Sequence, residues 1–282
     1  MKIGVVFPQT EIGADPDVVA EYAVTAESLG YDHLLAYDHV LGAGTATRPE
    51  WKGPYSSESM FQEPLVLFSY LAALTASIEL VTAVIILPQR QTALVAKQAA
   101  CVDVLSRGRL RLGIGTGWNE VEYEALGENF HNRGQRSEEQ IDLLRKLWQD
   151  DVISYAGEHH TITEAGLNPL PTHRDMPIWL GGMAPQVIER VGRLADGWFP
   201  FVNRDLEKQI QQVRASARAA GRDPDSIGIE CIMASNSSID DIKRLQDMGI
   251  THVAMVTMNQ GLAGPVAHMD AIKQAREMLS KL

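Results

Sequence analysis

The sequence predicts a (β/α)8 TIM barrel of the α/β class, with extended loops at its catalytic mouth. Short β-rich runs alternate with amphipathic helical stretches from one end of the chain to the other. This alternation is typical of right-handed βαβ units that build a parallel sheet. Eight such units in 282 residues agree with the roughly 250 residues of one barrel. We therefore expect a single domain over residues 1–282 rather than two domains of about 140 residues each.

The prediction of a barrel rests on eight β-rich runs. The third is the most apolar, and its unbroken Val and Ile content is typical of a parallel strand buried on both faces. The predicted strands are Ile3–Phe7, His33–Tyr37, Leu80–Leu87, Arg109–Gly113, Ile178–Leu180, Gly197–Phe199, Ile227–Met233 and His252–Thr257. A doubly wound open sheet is the competing fold, but the first βα turn lacks the glycine-rich fingerprint expected there.

Helix signals separate these strands. Asp15 is a suitable N-cap, Pro16 suits the first helical position, and Gly30 suits the end of the first helix. Similar patterns predict helices over about 92–105, 120–126, 137–148, 185–194, 206–220, 239–248 and 266–279.

Two segments are longer than the average connection. Asp38–Met60 follows the second strand directly, so this irregular segment should lie at the barrel mouth as a lid or substrate wall. The second segment, 150–176, contains a predicted hairpin formed by Ile153–Tyr155 and His159–Ile162. It follows a helix, and the sequence leaves open which end of the barrel it caps.

Composition excludes several classes of protein. Lysine and arginine total 25 against 36 aspartate and glutamate residues, so the net charge is −11, which argues against nucleic-acid and anionic-membrane binding. Cys101 and Cys231 are far apart, without the spacing of a disulfide scaffold or a zinc finger. The chain lacks a run long enough to span a bilayer. Its first residues lack a signal-peptide pattern, so we expect a cytoplasmic protein.

Candidate site residues lie at the predicted carboxyl ends of the strands, where barrel enzymes place their active groups. Asp38-His39 follows the second strand, and histidine can donate or accept a proton near neutral pH. Gly115-Thr116-Gly117 and Gly181-Gly182 are glycine-rich turns that lead towards helices. Backbone amides at such a helix start bind anions, so we expect a phosphorylated ligand there.

Other chemistry receives little support. His159 and His160 are adjacent on a predicted strand, so their side chains should point to opposite faces, and we expect no metal site. The sequence contains no zincin, Walker or nucleophile-elbow motif. A metal-dependent barrel hydrolase is therefore a remote alternative.

In order and spacing, these motifs resemble the luciferase-like monooxygenase superfamily, and most closely the branch of coenzyme F-420-dependent oxidoreductases. The resemblance extends over essentially the whole chain. Its motifs are Tyr37-Asp38-His39-Val40, residues 82–90, residues 96–99 and 103–109, Gly113-Ile114-Gly115-Thr116-Gly117-Trp118, Arg133-Gly134, Ile178-Trp179-Leu180-Gly181-Gly182 and Ala195-Asp196-Gly197-Trp198.

The resemblance implies a role for each matching position. His39 would face the reacting ring of the deazaflavin and act as the catalytic proton donor or acceptor. A non-proline cis peptide is expected around Ile85-Ile86, behind that ring. The implied cofactor-binding residues are Asp38 at the ring edge, Ile85 and Ile86 behind the ring, Gly115, Thr116 and Gly117 along the ring and ribityl chain, Gly181 and Gly182 at the phosphate, and Gly197.

Some features depart from the family pattern. Trp118 stands where the sugar-phosphate dehydrogenases of the family carry a catalytic glutamate, so glucose-6-phosphate is a doubtful substrate. No clear basic cluster awaits the polyglutamate tail of coenzyme F-420, which keeps FMN as the alternative cofactor. In that case the protein would be an FMN-dependent monooxygenase, supplied by a separate flavin or deazaflavin reductase.

The predicted function is hydride transfer between coenzyme F-420 and a small organic substrate. The non-enzymatic alternative is a barrel that binds a flavin without catalysing a reaction. We expect a homodimer formed through apolar outer helices.

Overall fold

A closed barrel of parallel strands forms the centre of the computed structural model, which describes residues 1–282. The eight strand positions follow chain order around the barrel, and the first and last strands pair with each other. The predicted TIM barrel is therefore confirmed. The strands are β1 (Lys2–Val6), β2 (His33–Ala36), β3 (Glu79–Thr82), β4 (Ile85–Ile86), β5 (Leu110–Gly115), β6 (Ile153–Ala156), β7 (Thr161–Ala165), β8 (Ile178–Gly181), β9 (Gly197–Phe199), β10 (Gly228–Ala234) and β11 (His252–Val256).

Helices surround the barrel, and local sequence signals account for several of their ends. Pro16 opens the first helix after Asp15, whose side chain accepts a hydrogen bond from the Asp17 amide. Gly30 follows its end with φ +76°, a left-handed conformation that favours glycine. The helices are α1 (Pro16–Ser28), α2 (Pro64–Leu74), α3 (Thr92–Ser106), α4 (Glu120–Ala125), α5 (Arg133–Gln149), α6 (Pro185–Leu194), α7 (Leu206–Ala219), α8 (Ile239–Asp247) and α9 (Gly264–Leu279).

The third predicted strand is the element in which the structure differs most from the sequence-based prediction. Leu80–Leu87 is not one unbroken strand, because the chain leaves β3 after Thr82 and re-enters the sheet as β4. The non-proline cis peptide lies in this break, between Ala83 and Val84, rather than at Ile85-Ile86. The Ile86 amide then donates to the carboxylate of Asp38 instead of to a neighbouring strand. A side chain just beyond the end of β2 thus holds the backbone in this path.

The long segment after β2 is irregular, as expected. Its only regular element is a short 3-10 turn, Thr45–Thr47. Helix α2 follows it, and the sequence analysis assigned no bounds to this helix. α2 is apolar along most of its length, so the periodic pattern that reveals an amphipathic helix is weak there.

The interior of the barrel has two levels. A hydrophobic cluster that includes Val6, Val81 and Met258 fills one part, and a buried ionic network lies near the amino ends of the strands. There the Arg111 guanidinium bridges Glu230 and Glu79 and lies 4.3 Å from the ring centroid of Trp179. Glu230 also bonds His33, and the positive charges around it hold its pKa at about 2, against the opposing effect of burial. This network thus fills the end of the barrel at which the strands begin.

The predicted hairpin is confirmed as β6 and β7, which pair in antiparallel fashion. It lies outside the barrel, against α3 and α5. Near its tip, His160 bonds Glu139 through Nδ1 at 2.8 Å and the Thr92 hydroxyl through Nε2 at 2.7 Å. Both ring nitrogens of His160 therefore serve to attach the hairpin to the two helices.

None of the helices is both long enough and apolar enough to cross a membrane.

Candidate active site

His39 lies just beyond the carboxyl end of β2, and its side chain is only 10% exposed. Its Nδ1 lies 3.0 Å from Oε2 of Glu122, a residue of α4 in the unit that follows β5. Since a carboxylate can only accept, Nδ1 carries the hydrogen in this pair. Nε2 is left as the atom that can exchange a proton with a ligand.

Glu122 is itself held rigidly. Its Oε1 accepts hydrogen bonds from the amides of Val40 (2.6 Å) and Leu41 (3.1 Å), and its Oε2 accepts one from the Asn119 side chain (3.0 Å). Burial alone would raise the pKa of Glu122, but the hydrogen bonds from His39 and the two amides hold this pKa below its ordinary value. Glu122 is therefore ionised near neutral pH and fixes the orientation of the imidazole.

The sequence analysis did not find Glu122. The available signal was weak, namely a carboxylate in the first turn of the helix that follows the Gly115-Thr116-Gly117 turn. Only the closed barrel brings the ends of β2 and β5 to the same mouth.

Asp38 is buried, and its carboxylate binds both the backbone of β4 and the side chain of Arg90. Its Oδ2 accepts from the Ile86 amide at 3.0 Å and its Oδ1 from the Arg90 guanidinium at 2.7 Å. Arg90 also bonds Glu63, just before α2. Burial raises the pKa of Asp38, whereas Arg90 and the Ile86 amide oppose that shift. Both carboxylate oxygens thus have protein partners, so Asp38 positions β4 beside His39.

Aromatic rings enclose His39. The ring centroids of Phe61, Tyr55 and Trp118 lie 4.9, 5.1 and 5.5 Å from that of the imidazole. Trp51 packs against Trp118 with a centroid distance of 5.7 Å. Three of these rings come from the long segment after β2, and the fourth from the turn after β5. A cavity of about 260 Å³ lies beside His39, between this segment and Asn119.

Gly115 in β5 and Gly181 in β8, both predicted to bind the cofactor, face the side chain of Val84. A Cβ atom at Gly115 would lie 2.5 Å from the Val84 side chain, and one at Gly181 would lie 2.9 Å from it. At Gly117, with φ +66°, a Cβ atom would lie 2.7 Å from Ile86. These glycines let the backbones of β5 and β8 close around the segment that contains the cis peptide.

Gly182 lies in the turn between β8 and α6 and has φ +127°, a conformation that side chains rarely adopt. The amides of Gly182, Met183 and Ala184 have no backbone partner, and no side chain caps the helix. The Gly182 carbonyl is held by the Trp198 indole at 2.8 Å. Free amides at a helix start are the chemistry that binds a phosphate, so this turn fits the predicted anion site.

Ile85, in β4, is fully buried. Two further residues predicted to bind the cofactor have different surroundings. Thr116 lies in the turn after β5, where its carbonyl accepts a hydrogen bond from the Tyr123 hydroxyl at 2.8 Å. Gly197, by contrast, begins β9 at the end remote from the mouth, and a Cβ atom there would overlap the Trp179 ring. Packing against Trp179 explains this glycine, so its assignment to cofactor binding is corrected.

Residues 1–277 match the family model described as luciferase-like monooxygenase. The chain belongs to this family. The matched range covers nearly the whole chain, and it confirms the resemblance inferred from the motifs.

The curated relatives of this luciferase-like protein include an uncharacterized protein, a coenzyme F-420-dependent enzyme and an FMNH(2)-dependent enzyme. An uncharacterized protein of Mycobacterium tuberculosis is 32% identical over 255 residues, which are 88% of this chain and 87% of that one. A coenzyme F-420-dependent hydroxymycolic acid dehydrogenase of Mycobacterium tuberculosis is 32% identical, covering 80% of this chain and 60% of the relative. An FMNH(2)-dependent dimethylsulfone monooxygenase of Pseudomonas fluorescens is 29% identical, covering 92% and 66%.

A solved structure of similar fold is a coenzyme F-420-dependent secondary alcohol dehydrogenase in complex with an F-420–acetone adduct. It superposes with a TM-score of 0.79 at 18% identity, covering 98% of this chain and 97% of the other. At that identity the match supports the fold alone. The curated relatives confirm that this luciferase-like protein is an oxidoreductase of the flavin- or deazaflavin-dependent class.

Proposed function

We propose that this protein is a coenzyme F-420-dependent oxidoreductase that transfers a hydride between the deazaflavin and a small organic substrate. The observation that carries the proposal is the imidazole of His39, oriented by the buried carboxylate of Glu122 and directed at the barrel mouth. Hydride transfer to or from a carbon–oxygen bond requires a proton at the oxygen, and this pair can provide or remove one.

The residues of the mouth fit the implied cofactor. Gly182, Met183 and Ala184 would hold its phosphate by their free amides. Val84, with Gly115 and Gly181 around it, would support the ring from behind. When bound, the deazaflavin would supply the hydride donor or acceptor.

His39 performs the acid–base step in this mechanism. For reduction of a carbonyl, protonated His39 donates from Nε2 to the substrate oxygen as negative charge develops there. For oxidation of an alcohol, neutral His39 accepts the hydroxyl proton at the same atom. Glu122 stabilises the charged imidazolium and keeps the ring from rotating, because it binds Nδ1.

The enclosure of His39 serves the same chemistry. The aromatic rings of Tyr55, Phe61 and Trp118 exclude water from the imidazole, which strengthens electrostatic interactions within the site. Asp38 keeps β4 in place through the Ile86 amide.

FMN is the second candidate cofactor, favoured by the 29% identity to the FMNH(2)-dependent monooxygenase. An FMN enzyme would use a separate reductase and react readily with oxygen when reduced. The coenzyme F-420 assignment is favoured by the 32% identity to the hydroxymycolic acid dehydrogenase. Turnover with either cofactor separates both enzymes from a barrel that only carries a flavin.

Titration of the apo-protein with coenzyme F-420 and FMN, side by side, tests the cofactor. We expect tighter binding of coenzyme F-420, and Gly182→Val should weaken it more than tenfold, or about 1.4 kcal/mol. The branched side chain would obstruct the amides of the α6 start. FMN binding with no measurable coenzyme F-420 binding would contradict the proposal.

A matched control separates lost binding from backbone strain. Gly221 also has a positive φ, +71°, and lies after α7 with open space around it. Gly221→Val should therefore cost folding stability without affecting cofactor affinity. If both variants bind equally well, the Gly182 turn does not hold the phosphate.

We also propose that the protein is a homodimer through the outer faces of α2 and α3, which pack side by side. α2 contains no charged residue, and the only charge on the outer face of α3 is Lys97, whose ammonium group bonds a carbonyl. In a protein of net charge −11, an apolar face without acidic groups lets two copies associate with little repulsion. The exposed apolar residues of this face are Val66, Tyr70 and Leu74 on α2 and Leu94, Val104 and Leu105 on α3.

Light scattering tests the dimer. We expect twice the 31.0 kDa chain mass for the native protein and a shift to monomer for Val66→Glu. Val266→Glu on α9 is the matched control, since Val266 is 67% exposed and Val66 is 66% exposed. A native monomer at micromolar concentration, or equal effects of the two variants, would contradict the proposed surface.

A further inference from the structure

Tyr37 directly follows β2, and its hydroxyl group has no hydrogen-bond partner in the protein. The fully buried tyrosines differ, since Tyr22, Tyr31 and Tyr123 each donate to a backbone carbonyl, at 3.1, 2.7 and 2.8 Å. The side chain of Tyr37 is partly buried, and its hydroxyl oxygen is not sealed from solvent. Tyr37 therefore offers a hydrogen-bond donor that the fold itself does not use.

The ring of Tyr37 lies inside the barrel. It packs against the hydrophobic cluster that includes Val6, Val81 and Met258, and Val84 packs against the same cluster. Tyr37 and Val84 each come just after the carboxyl end of a strand, so both side chains lie at the mouth end of the interior. The phenol is thus a polar group in the compartment where Val84 would support the cofactor ring.

The position of Tyr37 is fixed from a neighbouring strand. Its amide donates to Oε1 of Gln9 at 2.5 Å, and Gln9 is buried after β1 and donates to the Gln62 carbonyl at 3.2 Å. Burial, with a smaller contribution from Tyr55, raises the pKa of Tyr37, so the hydroxyl keeps its proton near neutral pH. Tyr37 is therefore a preorganised donor and not a base.

The cofactor ring needs a donor that its other implied neighbours do not supply. Flavin and deazaflavin rings both carry carbonyl oxygens on their pyrimidine portion, and a buried acceptor without a partner is costly. Val84 is apolar, and the Ile86 amide already donates to Asp38. The resemblance places Asp38 at the ring edge, but its oxygens are occupied by the Ile86 amide and Arg90, and a carboxylate cannot donate.

We propose that Tyr37 donates a hydrogen bond to a carbonyl oxygen of the pyrimidine portion of the ring and thereby favours the reduced cofactor. This inference rests on the proposed function, because it needs a bound flavin or deazaflavin. When the organic substrate is oxidised, its hydride forms a bond to the ring, which gains two electrons and one negative charge. That charge spreads onto the pyrimidine carbonyls, and a hydrogen bond to a charged acceptor is stronger than one to a neutral acceptor.

Tyr37→Phe tests the proposal, because it removes only the hydroxyl group. Dissociation constants of oxidised and reduced coenzyme F-420 are measured without oxygen, by calorimetry, for the native protein and the variant. We expect the variant to weaken binding of the reduced form about tenfold more than that of the oxidised form. Such a change lowers the midpoint potential of the bound cofactor by about 30 mV. Equal effects on the two forms, or no effect, would overturn the proposal.

Tyr31→Phe is the matched control. The Tyr31 hydroxyl binds the Ile272 carbonyl at 2.7 Å, and Tyr31 lies before β2, at the end of the barrel opposite the mouth. Tyr31→Phe should lower the stability of the cofactor-free protein in denaturant and leave both dissociation constants unchanged. Tyr37→Phe should leave that stability unchanged, because its hydroxyl has no protein partner to lose. Equal destabilisation by the two variants would show that the Tyr37 hydroxyl serves the fold.

The same titrations with FMN separate this inference from the cofactor assignment, because both rings share the pyrimidine portion. If coenzyme F-420 binds native protein and Tyr37→Phe with the same constants, the inference is wrong and the proposed function stands. If only FMN binds, and Tyr37→Phe weakens its reduced form selectively, the inference holds and the coenzyme F-420 assignment fails.

Discussion

Replacement of His39 by alanine is expected to slow hydride transfer by about 10²–10⁴, the usual contribution of a positioned general acid or base. Cofactor affinity should change much less, because the phosphate amides lie at the start of α6, on another strand end. The measurement is single-turnover hydride transfer, followed by deazaflavin absorbance.

Glu122→Gln is the companion variant, since Glu122 positions His39 without touching the substrate. Glu122→Gln should lower kcat more than it changes KM. Its effect on kcat should be smaller than that of His39→Ala. Native single-turnover rates for His39→Ala across the pH range would remove the histidine from the mechanism.

The Glu122 variant also has a signature in stability. Because the folded protein lowers the pKa of Glu122 below its ordinary 4.5, the carboxylate stabilises the fold above that pH. This stabilisation is lost as the pH falls through the lowered pKa of the folded state. The native protein should therefore lose more stability on acidification than Glu122→Gln does.

Arg90→Met is expected to reduce the free energy of unfolding by about 3–5 kcal/mol, the usual cost of leaving a buried charge without its partner. The Asp38 side chain is fully buried, and the variant would leave it with only the Ile86 amide as a hydrogen-bond donor. Because Asp38 holds β4 beside the mouth, cofactor affinity should fall as well. Denaturant unfolding measures the first effect and cofactor titration the second.

Two controls accompany this variant. Arg174→Met breaks an ion pair with Asp151 whose side chains are mostly exposed, and it should cost less than about 1 kcal/mol. Asp38→Asn in the Arg90→Met background removes the unpaired charge and should recover part of the stability. Equal costs for Arg90→Met and Arg174→Met would show that the buried pair has no special role.

Much of the fold could be predicted because its signals are local. The order of β-rich and helical runs specifies a parallel barrel, since each βαβ unit has one favoured hand. Local chemistry likewise marks the start of α1 at Asp15-Pro16 and its end at Gly30. The break between β3 and β4 was missed because Ile85 and Ile86 resemble the strand before them in composition.

The sequence by itself determined which side chains reach the barrel mouth, because the end of each strand is a local property of its unit. His39 and Gly182 were found in this way. Only the tertiary structure decided what those side chains bind: Glu122 is 83 positions from His39, and Arg90 is 52 positions from Asp38. It also decided that Gly197 serves the packing of Trp179. The physical reason is that barrel closure brings residues of different units within hydrogen-bond distance, and no local pattern encodes those pairings.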